Sequence, residues 1–176
     1  VPSVTGETIP ESVPAETETE TETVAEDVPP EEGMVRSTLT NEWIDGDIAD
    51  QRPIAVMVPN DSSALPHYSL SKADILYECP VEGNITRLLA VFKDWDNEDM
   101  TRIGNVRSLR DYFAYWSFEW DSILFHYGGP FYIADVVEKT GTENVTGASY
   151  GGSGKRVCTT APTIAPLTER LLRTPI

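Results

Sequence analysis

A chain of 176 residues with 40% apolar content holds enough material for one core of ordinary size plus a less structured remainder. Its formal charge of −16 is carried unevenly: residues 1–50 contain fourteen carboxylates and one base, Arg36, or −13, which leaves −3 for the other 126 residues. That balance argues against nucleic acid as a partner, whose affinity needs clustered Lys and Arg, and two cysteines, Cys79 and Cys158, are too few for a disulfide scaffold or a multi-cysteine metal site.

No metal and no cofactor is expected, and no run approaches the roughly 18 apolar residues of a membrane span. In chain order, residues 1–47 are Glu-, Thr- and Pro-rich, with the near-repeat Glu16 to Thr23 and prolines at 2, 10, 14, 29 and 30. Self-repelling carboxylates and too little apolar area predict a disordered, extended tether, most firmly over 1–35. A first residue Val1 fits a processed chain, so a signal peptide with a lipid-modified cysteine is expected upstream.

An α/β domain is predicted over 48–154. Its first strand, Ile54 to Val58, is apolar throughout, as strands covered on both faces are. Pro59-Asn60-Asp61 ends it. Asp74 to Cys79 and Ile85 to Phe92 read as strands turning over Gly83-Asn84, and an acidic loop at 94–99 leads to Ile103. Ser108 and Asp111 form a capping-box pattern that places a helix start at Ser108. Leu109, Tyr112, Phe113, Trp116 and Trp120 then recur at helical spacing, one broad aromatic face for the sheet. Ser122 to Phe125 reads as a strand, and the next helix runs from Pro130 through Lys139 to a stop at Gly141. Strand and helix alternating over 103–140 predict a right-handed βαβ unit in a mixed, partly parallel sheet with helices on both faces.

The blocks Arg52 to Val58, Leu70 to Glu78, Val81 to Arg87, Ile103 to Ser108 and His126 to Gly129, in this order, resemble consecutive motifs of the YerB-like lipoproteins. Five ordered blocks are more specific than any short motif. The resemblance implies a membrane-attached, extracytoplasmic lipoprotein of Gram-positive bacteria and names no reaction. Two departures stand out: Pro59 replaces an acidic or amide residue, and Leu65-Pro66-His67 stands where Arg-Pro-Gln is frequent.

Arg107 and Arg110 flank Ser108 at a helix start, whose free N–H groups favour an anion. Pairing with Glu78, Glu82 or Asp111 is the competing fate of those arginines. Glu78, Glu82 and Arg87 sit at or beside strand ends, and two Glu held together could do acid–base work. His126, followed by Gly128 and Gly129, lies at a strand's C-terminal end, where open α/β sheets gather ligands. Two functions follow. One is a binding or interaction module of the cell envelope taking an anionic or carbohydrate ligand or a partner protein through Arg107, Ser108 and His126. The other is a hydrolase or transferase using Glu78 or Glu82 with His126 and an arginine clamp. The absence of a phosphate loop or an HExxH helix favours the first. Residues 155–176 show neither strand nor helix period and are expected to be an irregular tail. Read two nucleotides out of frame, their codons permit an aromatic-Arg segment ending in Pro-His like that of relatives, so a frameshift product or a mispredicted gene end is expected after about Lys155, with a second domain missing.

Overall fold

The structure, a computed structural model, describes residues 28–147 and the backbone of 157–159. The tether reading over 1–27 lies outside the described residues. It opens with a hairpin of β1 (Met34–Arg36) and β2 (Trp43–Asp45), paired antiparallel from Met34↔Asp45 to Arg36↔Trp43. This hairpin falls in the stretch assigned by composition to the tether, which corrects the boundary at 47. Its turn satisfies itself: Ser37 Oγ accepts from the N–H groups of Leu39 and Thr40, Asn41 takes φ +59, and the Arg36 guanidinium sits 4.0 Å over the Trp43 ring.

The main sheet has five strands in the order β4 (Ile75–Val81), β5 (Ile85–Phe92), β3 (Ile54–Pro59), β7 (Ile123–His126), β8 (Asn144–Thr146). β3 is antiparallel to β5 and parallel to β7, and β7 is parallel to β8. The partly parallel α/β sheet is therefore as the sequence predicts. Every residue of β3 is buried, because neighbours lie on both edges and both faces are covered. β4 is an edge strand and carries Pro80 where a missing N–H is tolerated.

The layers differ from the expectation in one respect. Both helices, α1 (Asp111–Glu119) and α2 (Ile133–Thr140), pack on the same face, where Phe113, Ala114, Ile133 and Val137 meet Ala55, Met57, Leu89, Val91 and Leu124. Tyr112, Trp116 and Trp120 join them, as the aromatic stripe foretells, with Trp116 stacked 5.1 Å from Tyr77 and Trp120 Nε1 donating to the Tyr77 hydroxyl. The opposite face, with Ile54, Val56, Val58, Leu88, Ala90 and Phe92, is roofed without a helix by Trp95, Met100, and β6 (Ile103–Val106). The acidic loop hides its two apolar anchors: Trp95 Nε1 donates to Arg52 O at 2.9 Å. β6 stays outside the main sheet and pairs antiparallel with β9 (Val157–Thr159). The crossover unit is thus β7–α2–β8 instead of one spanning 103–140, and the segment read as an irregular tail contributes a short strand. Three residues are too few to show a side-chain period, so pairing rests on the backbone. Gly141, in the left-handed region at φ +67, ends α2 as predicted.

Candidate functional site

β3 and β7 pair up to Val56↔Phe125, and beyond it the chain after β6 enters between their C-terminal ends. Arg107 N–H donates to Met57 O at 2.8 Å, Tyr127 N–H donates to Arg107 O at 2.9 Å, and Leu109 N–H donates to Gly128 O at 2.9 Å. These strand-like bonds keep the segment extended through Arg110, at φ −124 and ψ 155, so α1 begins at Asp111. The expected capping box is therefore corrected: Arg110 is the cap residue, no side chain caps the helix, and Ser108 is buried. Likewise α2 begins at Ile133, not at Pro130.

Three arginines converge on this wedge. Arg87, at the start of β5 and 6% exposed, donates from Nη1 to Ser108 O at 2.7 Å, while its buried Nε–H has no partner. Burial first, then repulsion from Arg110 and Arg107, lowers its pKa to about 10, with Glu82 opposing. Arg110 grips Glu82 with two bonds, Nε to Oε1 at 2.6 Å and Nη2 to Oε2 at 2.7 Å, and anchors Nη1 on Leu109 O at 2.7 Å. That grip holds the Glu82 carboxyl at about 2. Tyr112, whose hydroxyl donates to Pro80 O at 2.7 Å, lines the same corner, and burial raises its pKa.

The other predicted residues are bonded separately from the arginines. Glu78 Oε1 accepts from Asn60 Nδ2 at 3.0 Å and Thr86 Oγ1 at 2.6 Å, and strand alternation puts it on the face opposite Arg87. Glu78 and Glu82 are thus engaged separately. His126 is 2% exposed, with Nδ1 donating to Gly128 O at 2.9 Å and Nε2 3.1 Å from the Asn144 side-chain amide. Burial lowers its pKa, and both hydrogen bonds oppose that shift. Gly128, at φ +67, donates its N–H to Thr146 Oγ1, and a Cβ on Gly129 would come within 2.9 Å of Ile133 Cγ1. These glycines shape a tight turn under α2. The sequence reading missed Asn60 and Asn144, each eighteen residues along the chain from its partner, and Thr86, which meets Glu78 across the β4–β5 hairpin.

The molecule is therefore a mixed α/β domain with an arginine corner beside the carboxyl ends of its parallel strands. Residues 39–164 match the family described as "Protein of unknown function (DUF3048) N-terminal domain", and the chain belongs to that family. It is 36% identical over 126 residues to "Putative lipoprotein YerB" of Bacillus subtilis (strain 168), an alignment covering 72% of this chain and 37% of that protein. The crystal structure of the YerB protein from Bacillus subtilis is similar with a TM-score of 0.66 at 29% identity, over 80% of this chain and 51% of that one. The chain thus spans little more than a third of the length of that curated relative. The family match continues past Lys155 to residue 164, through β9. Among the described residues no helix is long and apolar enough to cross a membrane.

Proposed function

We propose that this domain is a binding or interaction module of the cell envelope, held on the extracytoplasmic face by a lipid anchor outside this chain. Its ligand is an anion, including the acid groups of a carbohydrate or of an envelope protein, received at Arg87, Arg107 and Arg110. The name of the 36% identical relative supports the compartment. One observation carries the site: a guanidinium 6% exposed, with an unbonded Nε–H, lies where two further arginines press upon it. A buried donor without an acceptor costs about 1–3 kcal/mol, which an arriving oxyanion recovers.

The catalytic alternative draws no comparable support. A Glu82 carboxyl at about 2 is too weak a base for proton transfer near neutral pH, Glu78 is bonded on another face, and His126 is enclosed with both ring nitrogens engaged. Calorimetric titration with inorganic phosphate at low ionic strength tests the binding reading. Arg107→Gln is expected to weaken binding by about tenfold, with affinity falling as salt rises. Equal heats from the wild type and Arg107→Gln, or no heat from either, would sink it.

A further inference from the structure

We infer that Glu82 is an intramolecular occupant of the anion seat, and that the seat takes an external carboxylate or phosphate oxyanion when the β4–β5 turn carries Glu82 away. The inference rests on the binding reading above. The Arg110 fork meets Glu82 through two parallel bonds, 2.6 and 2.7 Å, the geometry with which arginine holds any group offering two adjacent anionic oxygens. The two halves of this pair are unequally fixed. The Arg110 side chain is 13% exposed and tied to Leu109 O, whereas the Glu82 side chain is 64% exposed.

Glu82 also stands beside an open turn. Gly83 and Asn84 follow it at φ +79 and +55, and a Cβ on Gly83 would meet nothing within 4 Å. The carboxylate is therefore the partner that can leave. Arg87, which interacts electrostatically with both Glu82 and Arg110, supplies the independent sign of a ligand seat, a side chain more than nine-tenths buried whose Nε–H has no acceptor. Glu82 offsets the repulsion that Arg107 and Arg110 exert on Arg87. Its departure without replacement would leave the arginines facing one another, so exchange for an incoming oxyanion conserves the local charge. A seat occupied most of the time by its own carboxylate binds external anions more weakly by the fraction of time it is open.

The test uses the full 176-residue chain. Nitrogen–proton NMR spectra report the Nε–H groups of Arg87 and Arg110 during titration with sodium acetate and, separately, sodium phosphate at constant ionic strength. Both resonances are expected to shift in the wild type, and Glu82→Gln and Glu82→Ala are expected to lower the half-saturating concentration about fivefold, the scale of an exposed ion pair. Tightening toward either anion supports the inference and tells which oxyanion the seat prefers. A wild type that titrates, with both variants keeping its midpoint, overturns the occupant while leaving the arginine site. Resonances unmoved in all three proteins overturn both.

Discussion

Two buried nitrogen-rich side chains lie near the same rim of the sheet, and they are finished differently. His126 ends β7 under α2 with one ring nitrogen on the Gly128 carbonyl and the other beside Asn144. Arg87 begins at β5 with one bond to Ser108 O and a donor left over, while Arg107 and Arg110 repel it. Burial alone does not mark a functional group. A buried group whose bonds are complete holds the fold, and one whose bonds are incomplete under like-charge pressure is poised for something else.

Removing the histidine should give the largest effect. His126→Ala opens a cavity under α2 and strips Gly128 O and Asn144 of a partner, so urea unfolding should show a loss of about 2–4 kcal/mol with phosphate binding unchanged in the fraction still folded. Arg87→Met should do the reverse, with stability within about 1 kcal/mol and affinity for phosphate down about tenfold, because an apolar chain of similar length removes a desolvated charge. If the histidine variant lost binding and the arginine variant lost only stability, the contrast would be inverted.

Acid should part the two corners by pH window. His126 has a folded pKa below its ordinary 6.5, so the unfolded chain takes up its proton first and stability falls as pH drops through that value. Glu82 is depressed from 4.5 to about 2, so its pair contributes fully above 4.5 and is lost between there and about 2. Unfolding midpoints measured from about pH 8 to about pH 3 should show the upper slope vanish in His126→Phe and the lower one soften in Glu82→Gln. The smallest effect is expected at Glu78→Gln, within about 0.5 kcal/mol, since that carboxylate sits exposed beside Asn60 and Thr86. A larger loss would mean that this third polar cluster belongs in the comparison.

Elements defined by their own residues were legible in the sequence. The apolar run of β3, the aromatic stripe of α1 and the glycine after α2 each carry a local signal that the fold obeys. What depended on distant partners was not. Ser108 reads as a helix cap, but Arg107 and Leu109 spend their amide groups on Met57 and Gly128, and the helix waits until Asp111. Helices on both faces follow from a strand apolar on both sides only if nothing else can roof it, and Trp95, Met100 and β6 do. At the candidate site the arginines near α1 were visible as cations. That Glu82 belongs to Arg110 while Glu78 belongs to Asn60 depends on strand alternation and turn position, which pair spacing along the chain does not encode.

The placement of β3 also bears on how the chain matures. Ile54 pairs with Phe92 on one side and with Ile123 on the other, so the most apolar strand is the earliest of the five main-sheet strands and completes its second edge only after β7 exists. A chain emerging N-terminus first therefore carries an open, greasy strand edge through the synthesis of more than sixty residues, from Ile54 to Ile123. That long-range closure makes for slow folding and gives chaperones, or a second nascent copy, the first opportunity to occupy the place kept for β7.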